Sequence, residues 1–458
     1  MTTNEKRRGG ARLKLLPVIA VAAGLGTPAW AASNEELAAL IRAQRAELQA
    51  LRKEVDALKK QRPTSVVVAD PSGKKPGKVF DPDRFVEKGK RPKSFKIPGT
   101  EFDVRIGGYA KADVISRVSG SSTGAEDLFV VPAINTRGQR AGDDRTRVHG
   151  RESRFNIDVA GPTRFGNFRS FVEGDFFGAG GNEIISNSDA FRLRHAFGEL
   201  GPLTAGQTWT TFMDVSALPN SLDFEGPGAE SFIRQGLVRY THNFGNGLTI
   251  AGAIENPESR VITAGAATAS SFRDTSAPDF VLRARYEQPW GHVQVAGVAS
   301  SIAGPSGTGS EVGFGANISG KINLPFIGPK DNIVFQANYS HGTARYMLDT
   351  AVASGSAAVR PGTTSLEVID AVGGYLAYQH FWTPEIRSSI AGSVVAVDTP
   401  AFLPATAFKT SYYAFANVIW SPFPEVDLGV EAQWGLREDQ DGKKGASTRL
   451  QSSAIFRF

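Results

Sequence analysis

Arginines recur at strand spacing along this chain. Arg192 and Arg194 stand two residues apart, Arg283 and Arg285 likewise, and Arg154, Arg169 and Arg239 occupy similar stretches. A guanidinium stays charged at physiological pH and grips a carboxylate through two parallel hydrogen bonds. A ladder of them along one wall suits the passage of small anions, dicarboxylates among them. The alternative chemistry is internal, with the arginines pairing with Asp158, Glu173, Asp175 and Glu287 in a network that only holds the fold. Beside Arg192 and Arg194 lies the segment 209–228. Strand-like alternation stops there, and Pro219, Gly226, Pro227 and Gly228 make a continuous strand implausible. Long irregular segments are commonly functional. This one is expected to fold inward and narrow a pore, with Trp209, Asp214, Asp223 and Glu225 opposing or bracing the arginines.

Such a wall needs a frame that turns every second residue inward. From residue 102 onward the period is two. Val426, Leu428, Val430, Ala432, Trp434 and Leu436 share one face, with Asp427, Glu431, Gln433 and Arg437 on the other. Phe280, Leu282, Ala284 and Tyr286 oppose Val281, Arg283, Arg285 and Glu287 in the same way. By this parity Leu193, His195 and Phe197 point outward, which sends Arg192 and Arg194 inward. A soluble sandwich also alternates, but here the polar face is charged and glycine-rich in strand after strand. Aromatics (Phe244, Trp290, Phe381, Trp382, Tyr412, Tyr413, Trp420) stand near strand ends, as the girdles of an outer-membrane barrel do. Tight turns alternate with long polar loops, the pattern of a barrel with a short-turn side and a long-loop side.

The pattern predicts an all-β transmembrane barrel of about sixteen antiparallel strands over residues 99–458, wide enough for an aqueous lumen. The strands fall near 102–118, 151–160, 166–176, 191–200, 203–209, 231–244, 248–256, 280–288, 291–302, 311–323, 332–346, 366–381, 386–398, 407–420, 426–437 and 446–458. The last ends on Phe458, which fits recognition by a barrel-assembly machinery.

The N-terminal part differs in kind. Residues 1–31 read as a secretory signal peptide, with basic Lys6–Lys14, an apolar run over 15–26 and a small-residue cleavage site at Ala29-Trp30-Ala31. Within 32–62, Leu37, Ile41, Gln44, Leu48, Leu51, Val55 and Leu58 are spaced alternately by four and three, the seam of an α-helical coiled-coil arm. Gln44 in the seam leaves the oligomer number open. Residues 63–98, rich in proline and lysine, read as a semi-flexible tether. The overall charge of +5 is misleading as a pointer to nucleic acid. Residues 1–98 carry +11 and the remainder −6. With no cysteine among 458 residues, disulfides, thiolate zinc sites and thiol catalysis are excluded. No cofactor or metal is called for.

Several segments then resemble a known group, the DcaP-like outer-membrane porins. They are Ser94-Phe95-Lys96-Ile97-Pro98-Gly99-Thr100 leading to Ile106-Gly107-Gly108-Tyr109-Ala110-Lys111-Ala112-Asp113, then Arg192-x-Arg194-x-Ala196-Phe197. To these are added Gly206-Gln207-Thr208-Trp209-Thr210-Thr211-Phe212, Leu222-Asp223-Phe224 and Val238-Arg239-Tyr240. The resemblance implies a trimer of sixteen-stranded barrels in outer-membrane lipid and lipopolysaccharide, with a periplasmic coiled coil. It also implies passive uptake of small anionic solutes, notably dicarboxylates. A general or sugar-specific porin is the rival reading. A sugar porin needs a track of inward aromatics, for which parity supplies only Tyr109 and Phe171. An outer-membrane hydrolase is the remaining class. His195, Ser231, His242, His292 and His341 form no recognisable catalytic spacing for one.

Overall fold

The computed structural model describes residues 87–120, 127–138, 145–182, 188–269 and 272–458, together with 45–46, 49–50 and 52–53. Those last three pairs are helical and exposed. They flank the expected seam, whose own residues lie outside the described set, as do the export signal and 63–86.

Sixteen antiparallel strands close into a barrel. They are β1 (Asp103–Gly120), β2 (Arg154–Thr163), β3 (Gly166–Asn182), β4 (Ser188–Leu200), β5 (Leu203–Trp209), β6 (Arg234–Asn243), β7 (Leu248–Glu255) and β8 (Asp279–Gln288). The second half comprises β9 (Gly291–Ala303), β10 (Ser310–Asn323), β11 (Asn332–His341), β12 (Asp370–Phe381), β13 (Ile386–Val397), β14 (Phe408–Phe423), β15 (Val426–Asp439) and β16 (Lys444–Arg457). Each strand pairs with the next, and β16 returns to β1 with Ala112 opposite Ala454. Closure leaves no unpaired edge, which a lipid environment demands. No described helix is long and apolar enough to cross a membrane.

Alternation divides the wall as read from sequence. On β15, Leu428, Val430 and Trp434 are exposed on the outside while Asp427, Glu431 and Gln433 are buried inside. The outer belt carries Phe244, Trp290, Trp382, Tyr412 and Trp420, all exposed. Tyr413 departs from the girdle expected of it. It points inward and is buried, its hydroxyl donating to Asp223 at 3.3 Å.

Two predicted strands are shortened for a local reason. The span expected over 332–346 ends at His341, because Gly342 takes φ of 71°, a left-handed conformation that turns the chain. A short 3-10 turn (Ala344–Tyr346) and a helix (Leu348–Ala353) follow. The span expected over 366–381 is split. Leu366–Val368 joins Ala357–Val359, Glu258–Ile262 and Phe272–Asp274 in a separate four-stranded sheet, and only Asp370–Phe381 enters the barrel. An apolar cluster of Val261, Ile302, Ala357, Val359 and Leu366 joins that sheet to β9.

The chain just before the barrel is not loose. Residues 87–98 lie on the wall, with Phe95 and Lys96 pairing with Val104 and Asp103. Arg91 donates to the carbonyls of Asp103 at 2.9 Å and Asp158 at 2.8 Å. Lysines of this stretch meet acids, Lys90 with Glu101 at 2.9 Å and Lys93 with Glu425 at 3.5 Å.

Candidate functional site

The connection between β5 and β6, residues 210–233, crosses the inside of the barrel with most of its residues buried and only Val215 and Ser216 exposed. Its proline and glycine content forbids a strand, so its backbone groups need partners from elsewhere. The inner wall supplies them. Asp214 caps the short turn Val215–Ala217 through the Ser216 amide. The same carboxylate is held by Arg285 at 2.9 Å, His292 at 2.7 Å and Ser319 at 3.1 Å. Further along, the carbonyl of Asn220 accepts from Asn417 at 2.7 Å, and the amide of Leu222 donates to Glu431 at 2.7 Å. The carbonyl of Leu222 accepts from Lys111 at 2.8 Å and Gln451 at 2.9 Å. Asp223 pairs with Arg449 at 2.5 Å, both side chains buried. The segment is thereby fastened to β9, β10 and β14–β16 and back to β1. Two other connections meet it inside. Asp349 donates its amide to the Gly228 carbonyl at 2.9 Å. Phe129, Val131 and Ile134 pack with Ala217, Tyr413 and Phe415.

The far side of this loop faces the arginine wall, and there the strict parity count fails at one residue. Glu173 pairs with His195 and Gly174 with Leu193, so Arg194 is an extra residue, a bulge on β4. Leu193 points outward as expected, being 47% exposed. Past the bulge the faces exchange. His195 is buried beside Arg194 and lies 3.0 Å from the Thr208 hydroxyl. Phe197 meets the inward Phe171 at 5.6 Å between ring centroids. Gly206, at φ 125°, stands opposite Phe197, where a side chain would strike the Ala196 carbonyl.

The proposed acid partners of the arginines are largely engaged. Arg192 binds Asp175 through two bonds of 3.0 and 2.8 Å. Arg194 bridges Glu173 and Asp175, each at 2.8 Å. Arg169 reaches Asp158 at 3.1 Å and Glu199 at 3.5 Å. Arg285 adds Glu287 at 3.0 Å to Asp214. Arg154 is looser, 3.8 Å from both Glu152 and Glu173. Arg239 and Arg283 have no carboxylate within ion-pair distance among the described residues, and each leaves a buried Nε without a hydrogen-bond partner. Two loop acids stand apart from the wall's pairing. Asp223 belongs to Arg449, and Glu225 sits in a buried acidic group with Asp223, Glu230 and Asp349.

One cation escaped the sequence reading. Arg234 starts β6, five residues before Arg239, so an alternation count places it on the opposite face. It pairs across with Trp209, where both strands end, and its guanidinium lies over the Trp209 ring at 4.3 Å. Its charge is felt together with those of Arg194 and Arg192. It too has no acid partner among the described residues, and one buried Nη is unpaired.

Around these guanidiniums runs a chain of aromatic rings. Phe177 meets Phe224 of the loop at 4.6 Å, Phe224 meets Phe232 at 5.8 Å, and Phe232 meets Trp209 at 4.9 Å. Trp209 meets His195 at 5.5 Å, and His195 meets Phe171 at 6.0 Å. Two inward aromatics were legible in the sequence. The bulge brings His195 and the inward loop brings Phe224 and Phe232, while Phe177 and Trp209 stand near the ends of β3 and β5. Among the described residues no group of His, Asp and Glu has the arrangement of a metal site.

The model of the DcaP outer membrane protein family matches residues 107–458. The chain belongs to that family. It is an outer-membrane porin, its location and channel class following from the family and the closed barrel. The crystal structure of the outer membrane channel DcaP of Acinetobacter baumannii superposes with a TM-score of 0.69 at 21% identity, covering 80% of this chain and 99% of that one. Salmonella typhi OmpF, in complex with daunomycin, gives 0.51 at 12% identity over 79% of this chain and 99% of that one. The trimer form of Vibrio cholerae OmpT gives 0.50 at 11% over 78% and 100%. At these identities the likeness is one of fold. No curated protein sequence matches the chain.

Proposed function

We propose that this DcaP-family porin prefers small anions, dicarboxylates included, as they pass between the inward loop and the β2–β8 wall. The observation that carries this reading is the set Arg234, Arg239 and Arg283, three inward guanidiniums without a carboxylate partner among the described residues, each with a buried nitrogen that lacks a hydrogen bond. The paired arginines Arg192, Arg194 and Arg169 hold the wall and orient its donors. The free three supply the net positive field that sets an electrostatic barrier at a constriction. In planar bilayers under a salt gradient, the reversal potential should have the sign of anion preference. Changing Arg234, Arg239 and Arg283 together to Gln should lower the anion-to-cation permeability ratio by about tenfold, the order of effect a charged cleft has on local ion concentration. A cation-selective wild-type channel would sink the reading.

The porin is proposed to act as a trimer, the form recorded for Vibrio cholerae OmpT, with the seam of residues 37–58 holding the protomers together in the periplasm. Deleting 33–62 should shift the oligomer toward monomer on native gels while conductance persists. A truncated protein that neither assembles nor conducts would make the arm integral to the barrel. Phe458, exposed and donating its amide to the Gly108 carbonyl at 3.3 Å, remains the proposed contact for assembly machinery.

A further inference from the structure

Aliphatic anions need only charge, and the wall offers more than that. Guanidiniums lie over rings all along it. Arg192 covers Phe177 and Phe224, each at 5.5 Å, and Arg194 covers Phe224 at 5.6 Å. Arg234 lies over Trp209 and Phe232 at 4.3 and 5.5 Å, and Arg169 over Phe171 and Phe197 at 5.0 and 5.5 Å. A guanidinium stacked on a ring keeps its N–H donors pointing sideways in its own plane. Those of Arg192, Arg194 and Arg169 already hold Asp175, Glu173 and Asp158, while Arg234 has no carboxylate partner among the described residues. The rings themselves are only half-buried, while the arginine between Trp209 and Phe232 has an unpaired donor. On β3 the track runs from Phe177 to Arg169, eight residues or roughly 26 Å at strand rise. With the strand tilt of about 40° this spans roughly 20 Å of the apolar band of about 25 Å in such a barrel.

We infer that the preferred solutes of this channel are flat, ring-bearing carboxylates, which slide on the Phe177–Phe224–Phe232–Trp209 rings while the carboxylate is taken by Arg234, stacked between Trp209 and Phe232. The inference rests on the anion reading and narrows it. Sugar acids are the competing class for an aromatic track. They require acceptors as well as donors beside each ring, for the hydroxyls. Here the acids nearest the rings, Glu173 and Asp175, are already bound to Arg194 and Arg192. An aromatic carboxylate needs only a ring face and a donor, and Arg234 with Trp209 and Phe232 supplies both.

The test is current interruption in planar bilayers containing the full chain, with 2-naphthoate, benzoate, hexanoate, succinate and galacturonate added separately at equal concentration. Residence times should rank 2-naphthoate, benzoate, hexanoate. The naphthoate-to-hexanoate ratio should be about three- to tenfold, the factor expected of one aromatic pairing. Phe224→Leu keeps apolar bulk and removes the ring, so this ratio should fall toward one. Phe326→Leu, on an exposed turn away from the track, should leave it intact. Equal residence for hexanoate and naphthoate, or longer residence for galacturonate, overturns the ring-bearing class. The reversal potential recorded in the same membranes reports separately on whether the channel prefers anions at all.

Discussion

Replacing Arg449 with Met should raise single-channel conductance and free the loop between β5 and β6 from the opposite wall. Arg449 is enclosed, its side chain 2% exposed and that of Asp223 fully buried, and the pair is 2.5 Å apart. It also donates to Gln433 and lies over Phe129 at 4.9 Å, so one side chain ties β16, β15 and the connection after β1 to the loop. Removing one partner of a buried pair leaves the other charge uncompensated, at a cost of about 3–5 kcal/mol. Among the described residues the Asp223 carboxylate would keep only the Tyr413 hydroxyl at 3.3 Å and the Gly226 amide at 3.3 Å. Moving 220–226 out into water is then the less costly state. Hydrogen exchange of the Leu222 amide, now bonded to Glu431, should accelerate along with the rise in conductance. The double variant Arg449→Met with Asp223→Asn should lose less stability than the two single changes predict, because it removes the orphaned charge. An unaltered conductance in Arg449→Met would show that Glu431, Lys111 and Gln451 hold the loop without it.

Much of this was readable in advance, and the reason is the period of two. Each barrel strand presents a face to lipid and a face to the interior, so the alternation of β8, β10 and β15 was visible residue by residue. Turn residues marked the boundaries. What escaped were places where one residue breaks the period. The bulge at Arg194 turns His195 and Phe197 inward, and nothing in Arg-Leu-Arg-His-Ala-Phe distinguishes a bulged strand from a regular one. Arg234 sits at odd spacing from Arg239 and is aimed by the ends of β5 and β6 rather than by the pleat. Phe224 lies in an irregular segment, where sequence indicates a loop but carries no periodicity to aim its ring, and Phe232 falls in a span read as strand, 231–244, that begins only at Arg234. The engaged acids were a matter of distance. Asp175 stood in the list of possible partners, yet only the register of β3 with β4 decides that it holds Arg192 and Arg194 together. The loop acids show the same limit, since opposition to the arginine wall and attachment to the far wall look alike until the loop's path is known.

The acids gathered where the inward loop meets the helix Leu348–Ala353 lead to a pH dependence. Burial pushes the Glu225 carboxyl up to about 8, with Asp223 and Asp349 adding to the rise and Arg449 and Arg192 opposing it. Burial likewise raises Glu230 well above its ordinary value, helped by Glu225, Asp223 and Asp349. Asp349 is pushed to about 7 by burial, against the hydrogen bond from Ser411. A loop swung into water would return Glu225 and Glu230 to ordinary carboxylate behaviour. At pH 4 and below, these groups are neutral in both positions and the docked loop carries no penalty. As pH rises from about 4.5 toward 8, the released loop loses its protons first. Docking therefore weakens by up to about tenfold per pH unit for each group involved. Above about 8 Glu225 is ionised in both positions and adds no further change. Conductance should accordingly rise between pH 5 and pH 8.5, with Glu225→Gln and Glu230→Gln each flattening the curve and the double change abolishing most of it. The Arg449→Met variant, already undocked, should show little of the dependence. A conductance that falls as pH rises over this window would mean that the ionised acids hold the loop in place, through Arg449 and Arg192, rather than driving it off.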